Sequence, residues 1–532
     1  MLENLPLLSL ITFSPLIGIL IMLFIPGQNG KAIRWVAIAT TILTLILSAL
    51  LYIQFDNTSS GMQFTEEMKF LEIPLNSELI SPSGTANIDY AYEFNYLMGV
   101  DGLSLALAFL TALVCLMAAL ASVYIKKRWK TFYILFLLLE VGILGVFFAK
   151  DLMLFFIFFE ITLIPMFFLI GIWGYKDRER AANKFLIYNG VGSAIMLIAI
   201  LILINTAGFY FDEASNLLRY TSDVGVISDQ LNNTQSLVNL EGTIFYLSEN
   251  MRWFIFIMLL VAFGIKLPIF PFHTWMLRVH TEAPPSIVMI HSGLLLKMGA
   301  YGLIRFGVVL FPEQAKEWAY VLAILGIINI LYGAILAFVQ NEFKLILAYS
   351  SISHMGIVLL GIAAFNVAGM QGAVYQLVSH GFISALMFLI VGSIYERTQT
   401  TKLDELGGLA KSIPFISGIL LIAGMASLGL PGLSGFISEF LAFVGLFDTM
   451  PIVTVIGTLG IVLTAVYVLR GVLRMTFGSL PAQYTKMNEA RLVEAVPMIA
   501  LVAFILLLGI YPAVLIEPMQ ETILSIITKM GG

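Results

Sequence analysis

Apolar segments of about twenty residues recur along nearly the whole sequence, and this pattern restricts the possible folds more than any other feature. A helix rises about 1.5 Å per residue, so roughly 20 apolar residues cross the hydrocarbon core of a bilayer. Because lipid offers no hydrogen-bond partners, each segment must satisfy its own backbone groups as a helix. The pattern predicts fourteen membrane-spanning helices, near residues 5–26, 32–53, 98–124, 131–149, 151–173, 183–206, 251–275, 285–310, 317–339, 343–365, 370–393, 413–445, 451–473 and 494–517.

The composition also predicts an all-α polytopic membrane protein. Hydrophobic residues make up 59% of the chain and charged residues only 11%, whereas a soluble domain carries about 25% charged residues. The two longest connections, 54–96 and 207–250, are acidic, and neither is expected to hold a soluble domain. The single cysteine, Cys115, excludes a disulfide within the chain, a thiolate zinc site and an iron–sulfur cluster. The sequence also has no P-loop and no nucleophile elbow, so we expect no nucleotide site or redox centre in this chain.

The positions of lysine and arginine predict how the chain is oriented. With the N-terminus on the outer side, 19 of the 28 Lys and Arg residues fall in inner connections and 6 in outer ones. The other three, Lys266, Lys297 and Arg305, lie within predicted spans. Because basic residues are enriched in cytoplasmic loops, we expect a multi-pass protein of a bacterial plasma membrane with both termini on the outer side.

Two of the predicted spans are interrupted. Pro268 and Pro271 break the seventh span just after Lys266, and the glycines of 429–432 break the long twelfth span. The interrupted spans are five apart, so they cross the membrane in opposite directions, as two inverted five-helix repeats require. Proline and glycine are also common in ordinary membrane helices. The predicted divisions are 1–130 with spans 1–3 and an acidic outer loop, 131–310 with spans 4–8, 317–478 with spans 9–13, and 479–532 with span 14.

Charged residues within the spans are candidate functional groups, because each costs about 2.5–3.5 kcal/mol in an apolar helix. Glu160 lies nine residues beyond Asp151, which places it about 14 Å into its span. A lysine partner lowers the cost of burying a carboxylate, and Lys266 is the expected partner of Glu160. The alternative is a static ion pair that only holds helices together.

A lysine and two histidines are candidates for carrying protons. Lys297 lies twelve residues beyond Pro285, about 18 Å into its span. A lysine at that depth can release and regain a proton. The alternative is a lysine whose ammonium group only extends towards the membrane interface. His354 and His380 lie in consecutive spans, and histidine relays protons near neutral pH. Each histidine could instead be a core residue with its hydrogen bonds satisfied.

Two further carboxylates lie within spans. Glu439 follows the glycine interruption of the twelfth span, and is the acidic counterpart of Lys266 at the first interruption. Glu140 lies in the fourth span. Either carboxylate could instead serve only in helix packing.

Nine stretches contain most of these residues: GVDGLSL (Gly99–Leu105), FFEITLIPMF (Phe158–Phe167), KLPIFPFHTWM (Lys266–Met276), EAPPS (Glu282–Ser286), LLKMGAYGLIR (Leu295–Arg305), LAYSSISHMG (Leu347–Gly356), HGFISALMFL (His380–Leu389), YERT (Tyr395–Thr398) and LPGLSGFISEF (Leu430–Phe440). As a set they resemble the antiporter-like membrane subunits of respiratory complex I. The likeness is greatest to subunit M of bacterial NADH-quinone oxidoreductase, the equivalent of mitochondrial subunit 4. It covers about residues 95–480 and implies the family's fold of fourteen helices with two inverted five-helix repeats.

The resemblance implies a role for most of the candidates. Glu160 and Lys266 match the family's glutamate–lysine pair, Lys297 its central lysine, His354 and His380 its relay, and Glu439 its terminal acid. Lys344, near the inner start of the tenth span, matches a further family lysine, and Glu140 stays a candidate for proton translocation. His291 sits where some relatives have a non-polar residue, and we assign it no role from the sequence.

The implied function is that of a proton-translocating membrane-arm subunit of a complex I-type NAD(P)H or ferredoxin:quinone oxidoreductase. Such a chain is part of an enzyme, a translocase, but holds no redox centre itself. NAD(P)H or another donor, FMN, iron–sulfur clusters and quinone are expected in partner subunits. Other membrane-arm subunits are expected on both sides of this chain within the lipid bilayer, and nucleic acid is not expected as a partner. The alternatives are a subunit of a multisubunit Na⁺/H⁺ antiporter, a subunit of a membrane-bound hydrogenase, and a passive scaffold for assembly.

Overall fold

The computed structural model describes residues 5–75, 90–212 and 217–530. The helices that position the site are α1 (Leu7–Phe24), α2 (Gly30–Gln54), α3 (Gly102–Ala121), α4 (Trp129–Phe148), α5 (Leu152–Trp173), α6 (Arg178–Thr206), α7 (Val224–Asn232), α8 (Glu249–Lys266), α9 (Thr274–Glu282), α10 (Pro285–Val308), α11 (Pro312–Glu317), α12 (Ala319–Val339), α13 (Phe343–Ala363), α14 (Val367–Thr398), α15 (Pro414–Ser427), α16 (Ser434–Thr449), α17 (Pro451–Thr476), α18 (Leu492–Ile510) and α19 (Ala513–Lys529). The strands are β1 (Gln63–Leu75), β2 (Tyr90–Val100), β3 (Phe209–Asp212) and β4 (Leu217–Thr221).

Twelve helices in the described part of the chain are long and apolar enough to cross a membrane: α1 to α6, α10, α12 to α14, α17 and α18. Each coincides with one predicted span. The twelfth predicted span consists of two helices, α15 and α16. The seventh predicted span, 251–275, contains α8 and only the first two residues of α9, which continues to Glu282. Large side chains such as Phe24, Ile452 and Ile510 are exposed on outer helices, where lipid can cover them without cost. The chain is therefore a multi-pass integral membrane protein, whereas the total of fourteen spans and the inverted repeat stay predictions.

The helices α3, α10, α13 and α14 form the centre of the bundle and are almost wholly buried. Helix α10 contains a π-helical segment at His291–Leu295, and such segments are frequent at functional sites. At Gly299 of α10 the backbone of α8 approaches closely, because a Cβ atom there would lie 2.6 Å from the backbone nitrogen of Leu267. This close approach places Lys297 of α10 near the crossing with the end of α8, where Lys266 lies.

The break between α8 and α9 is stabilised by side chains from neighbouring segments. The backbone N–H of Phe270 donates to Asn329 Oδ1 at 2.8 Å, and Asn329 Nδ2 donates to the carbonyl of Pro268 at 3.4 Å. Trp275 Nε1 donates to the carbonyl of Ile265 at 3.0 Å. Proline removes a backbone donor and frees carbonyls in a helix, and these bonds supply partners for the freed groups inside the membrane.

The break between α15 and α16 depends on glycine. Gly429 and Gly432 have φ values of +77° and +93°, in the left-handed region that glycine adopts without the penalty of a Cβ atom. The freed carbonyl of Ser427 lies 3.1 Å from His354 Nε2. The broken helix therefore turns one of its backbone oxygens towards a candidate site residue.

A small sheet forms from the two acidic connections, in the strand order β1-β2-β4-β3. Strands β1 and β2 are antiparallel, β2 and β4 parallel, and β3 and β4 antiparallel. Arg219 of β4 lies at its centre and pairs with Glu93, with Glu72 at 2.9 Å and with Asp212 at 2.8 Å. The sequence analysis did not predict this sheet, since it treated both connections as acidic loops.

Candidate functional site

Lys297 is hydrogen-bonded in the centre of the bundle. Its Nζ atom lies 2.7 Å from His380 Nδ1 on α14 and donates to the carbonyl of Ser292 at 2.6 Å. Lys297 is fully buried and His380 is 4% exposed. The carbonyl of Ser292 belongs to the π-helical segment of α10, so the irregular backbone supplies an acceptor for the buried ammonium group. Lys297 can therefore exchange a proton with His380 through a single contact.

The series of buried titratable side chains extends from His380 to His354 and Glu439. The two imidazole rings lie 5.3 Å apart between centroids, and His354 Nε2 lies 3.7 Å from Glu439 Oε1. His354 Nδ1 lies 2.8 Å from the carbonyl of Ser350. Since both ring nitrogens of His354 face oxygen acceptors, the ring can hold a second proton with each N–H group partnered.

A cavity of about 20 Å³ lies between the two histidines. Its lining includes His354, His380 and the hydroxyls of Ser350, Ser351 and Ser384. A volume above roughly 10–15 Å³ with several polar partners suits one water molecule. The cavity therefore suits a water bridge from His380 to His354, whose rings make no direct hydrogen bond to each other in the described structure.

Lys266, the expected partner of Glu160, makes no hydrogen bond to it. Among the described residues, Lys266 Nζ and Glu160 Oε1 are buried without a hydrogen-bond partner. Lys266 Nζ instead lies 4.7 Å from the ring centroid of Phe159 and 5.8 Å from that of Phe185. The ammonium group is therefore held by aromatic faces, which attract a cation, and not by the carboxylate.

Glu140 and Lys344 occupy different surroundings. Both carboxylate oxygens of Glu140 are buried without a hydrogen-bond partner in the part of the chain that the structure describes. Lys344 Nζ lies 4.0 Å from the ring centroid of Tyr175 and 4.2 Å from that of Tyr395. Tyr175 also lines a cavity of about 310 Å³ together with Glu396. Neither Glu140 nor Lys344 makes a hydrogen bond or ion pair to the other candidates that the structure describes.

Two buried histidines were missed as site residues by the sequence analysis. His280 Nε2 and His291 Nδ1 lie 2.9 Å apart, and both side chains are fully buried. The sequence offered one signal for this pair: His291 lies six residues before Lys297 in an otherwise apolar run. Its partner could not be found from the sequence, because His280 lies on the far side of the Pro284–Pro285 turn.

The chain matches known proteins over most of its length. A family described as "NADH:quinone oxidoreductase/Mrp antiporter, TM" matches residues 149–464, and one described as "NADH-ubiquinone oxidoreductase chain 4, amino terminus" matches residues 79–147. NADH-quinone oxidoreductase subunit M of Rhodobacter capsulatus is 35% identical over 516 residues, covering 96% of this chain and 94% of the relative.

Solved structures share the fold. A chain of respiratory complex I from Thermus thermophilus with bound NADH superposes with a TM-score of 0.81 at 27% identity, covering 99% of this chain and 100% of that chain. A chain of the Mrp complex from Dietzia sp. DQ12-45-1b has a TM-score of 0.78 at 20% identity, covering 99% and 100%. The second likeness shows a common fold alone.

Proposed function

This chain belongs to the family of NADH-quinone oxidoreductase subunit M and chain 4 proteins, and we propose that it translocates protons in the membrane arm of a complex I-type NAD(P)H or ferredoxin:quinone oxidoreductase. The observation that carries the proposal is the 2.7 Å contact between Lys297 and His380 at the buried centre of the bundle. His354 lies between this contact and Glu439, a carboxylate on the second helix of the broken twelfth span. Ionisable residues inside membrane spans mark ion pathways and proton relays, and this series of buried titratable groups supports a proton path.

We assign the proton path to Glu160, Lys266, Lys297, His380, His354 and Glu439. A charge change in a neighbouring subunit acts first on Glu160 and Lys266. Two unit charges about 6 Å apart at an effective dielectric constant near 20 interact by about 3 kcal/mol, which corresponds to about two pKa units. An interaction of that size decides whether Lys297 keeps its proton or passes it to His380. Lys266 is free to respond because aromatic rings, and not a carboxylate, hold its ammonium group.

The redox chemistry belongs to other subunits in this proposal. The sequence has one cysteine and no nucleotide-binding motif, so the donor site, FMN, the iron–sulfur clusters and the quinone lie in partner chains. The chain is a subunit of a multisubunit complex, with other membrane-arm subunits on both sides. The 19-to-6 distribution of Lys and Arg supports a bacterial plasma membrane with both termini on the outer side.

A Na⁺/H⁺ antiporter subunit is the second candidate, because the Mrp chain has the same fold. The two functions differ in what drives the protons. In a complex I-type subunit, uptake of protons into vesicles depends on NADH oxidation. In a Na⁺/H⁺ antiporter subunit, it depends on a sodium gradient.

The test uses membrane vesicles that contain the assembled complex with Lys297→Ala or Lys297→Arg. NADH-driven quinone reduction and proton uptake are followed together, after assembly has been checked on a native gel. Arginine keeps the positive charge but does not release its proton, so both variants are expected to lose coupled activity. The matched control is Lys31→Ala, at an exposed lysine near the start of α2. Wild-type proton uptake by either Lys297 variant, or sodium-driven exchange without NADH-linked activity in the wild type, would contradict the proposal.

A further inference from the structure

A cavity of about 390 Å³ lies at the start of α8, and none of the residues assigned to the proton path lines it. Its walls come from the connection 207–250, the first turn of α8 and the segment of α11. The connection includes α7, which packs on β3, so the cavity lies on the side of the bundle that carries the small sheet. We call it the sheet-side pocket. Its volume falls within the range of small-molecule sites, about 300–1,000 Å³, and it can hold a small ligand or the polar head of a larger one.

Three charged side chains of both signs line the sheet-side pocket. They are Glu249 and Arg252 of α8 and Glu313 of α11. Arg252 donates a hydrogen bond to Asn239 Oδ1. Glu249 Oε1 accepts one from Gln314 Nε2 at 2.8 Å. The ion pairs among the described residues include none of the three charged groups. The pocket therefore presents one guanidinium group and two carboxylates that a ligand of mixed charge can neutralise.

Aromatic side chains indicate the depth of the pocket in the membrane. Trp253 follows Arg252 on α8, and Trp318 directly precedes α12. The two tryptophan rings lie 5.5 Å apart between centroids, and the nearby Tyr320 is 59% exposed. Tryptophan and tyrosine are enriched where the hydrocarbon core meets the headgroup region of a bilayer. The sheet-side pocket therefore lies at the level of the lipid headgroups.

A lipid-facing surface adjoins the pocket on the same helix. Met251, Phe254 and Ile257 are exposed, and their spacing of three residues places them on one side of α8. Met251 directly precedes Arg252 in the chain. On α12, Ile324 is exposed as well. Acyl chains can cover these side chains while the headgroup enters the pocket, so a membrane lipid fits this site better than a soluble molecule does.

We propose that the sheet-side pocket binds the headgroup of a phospholipid that carries both a phosphate and a primary amine, as phosphatidylethanolamine does. The planar guanidinium group of Arg252 donates two parallel N–H bonds to the phosphate, and Glu249 and Glu313 accept bonds from the ammonium group. A headgroup without an amine leaves the two carboxylates without a cation. The quaternary ammonium group of phosphatidylcholine has no N–H to donate to them. This inference goes beyond the proposed function and does not depend on it.

The test uses the assembled complex, purified in detergent and depleted of lipid. The probe is dioleoylphosphatidylethanolamine with a diazirine on one acyl chain, and after irradiation mass spectrometry measures the label on residues 251–257 of α8. Unlabelled dioleoylphosphatidylethanolamine, -phosphatidylglycerol and -phosphatidylcholine compete in separate arms, as does the soluble glycerophosphoethanolamine. The variants are Arg252→Gln and Glu313→Gln. The matched control is Lys69→Gln, which removes a mostly exposed charge of the sheet that does not line the pocket.

We expect Arg252→Gln to reduce the labelling about tenfold, because a hydrogen bond between charged groups is lost. Glu313→Gln should narrow the preference for phosphatidylethanolamine over phosphatidylglycerol, and Lys69→Gln should label as wild type. Because Glu313 is exposed, its variant tests the inference even if Arg252→Gln does not assemble.

Wild-type labelling of Arg252→Gln, an unchanged lipid preference in Glu313→Gln, or equal competition by the three phospholipids overturns the inference. Competition by glycerophosphoethanolamine as strong as that of the lipid overturns it as well, because the ligand is then a soluble molecule. The measurement involves neither NADH oxidation nor proton uptake, so its result is separate from that of the proposed function.

Discussion

Lys297 Nζ and His380 Nδ1 lie 2.7 Å apart, although 83 residues separate them in the chain. Helices α10 and α14 bring them together in the most deeply buried part of the bundle. Among the described residues, the ammonium group has a backbone carbonyl and an imidazole as its polar partners. The proton of Lys297 therefore has one side-chain acceptor within hydrogen-bond distance, and the first prediction concerns that acceptor.

Replacing His380 by asparagine should stop proton transfer from Lys297 while the complex still assembles. Asparagine places a polar atom near the position of Nδ1, but an amide does not bind a proton at neutral pH. Loss of a positioned acid or base typically costs about 10²–10⁴ in rate, so coupled proton uptake in vesicles should fall at least about a hundredfold. The control His273→Asn should retain wild-type uptake. Unchanged uptake in His380→Asn would show that protons leave Lys297 by another route.

Replacing Phe159 by leucine should disturb Lys266 without removing any charge. The ring of Phe159 is 4.7 Å from Lys266 Nζ, and a desolvated cation–π contact is worth about 2 kcal/mol. Without it we expect the ammonium group to form a direct ion pair with Glu160 and to respond less to charge changes nearby. Proton uptake per NADH oxidised should fall in assembled vesicles. Phe168→Leu, at a partly exposed ring on the same helix, is the control and should have no effect; equal uptake by both variants would contradict the prediction.

The positions of the membrane helices could be predicted because the length and hydrophobicity of a segment decide whether it crosses a bilayer. The two broken spans were also recognisable, since proline and glycine mark them. The sheet could not be predicted, because its central pairing joins Ala91 to Arg219 across more than a hundred residues. Arg219 is the only basic residue of 207–250, and the sequence does not reveal that three acidic partners converge on it.

Depth within a span was enough to select Lys297, Glu160 and Lys266 as candidates, whereas their contacts depended on side chains from other helices. The partnership of Glu160 and Lys266 stays a prediction, and the rings of Phe159 and Phe185 stand against the lysine. A count of charges along a sequence does not include such aromatic neighbours. The functional roles of these residues stay predictions.

Replacing Arg219 by methionine should destabilise the small sheet. The arginine is 7% exposed and Glu93 is 3% exposed, so the variant removes the buried cation that faces the buried carboxylate and leaves it only the mostly exposed Lys69 among the described residues. Breaking a buried ion pair in this way costs about 3–5 kcal/mol. We expect faster proteolysis within the outer connections of the assembled complex. Lys69→Met removes a mostly exposed partner of Glu93 at 3.4 Å and should cost less than about 1 kcal/mol. Equal proteolysis of wild type and Arg219→Met would contradict this account.

The stability of the sheet should also depend on pH in a defined direction. Burial alone raises the pKa of Glu93, but a hydrogen bond from Tyr210 and the charge of Arg219 outweigh burial and hold that pKa below its ordinary value of 4.5. The ionised form therefore stabilises the sheet above pH 4.5, and that contribution is lost as the pH falls through the lower pKa of the folded protein. Resistance to proteolysis should stay constant from pH 7 to about 5 and decline below 4.5. In Arg219→Met this dependence should weaken, because only Tyr210 and Lys69 then oppose the effect of burial on the pKa of Glu93.

Replacing Gly429 by alanine should displace Glu439 at the end of the proton path. Gly429 has a φ of +77°, and a Cβ atom there would lie 2.8 Å from Glu439 Oε2. The left-handed conformation costs an alanine about 1–2 kcal/mol. The close contact should also push the carboxylate of Glu439 away from His354. Coupled proton uptake should therefore fall while assembly on a native gel is retained. Gly418→Ala is the matched control, because a Cβ atom at that helical position meets nothing within 4 Å, and it should pump as wild type. If both alanine variants pump equally, the position of Glu439 relative to His354 does not limit proton transfer.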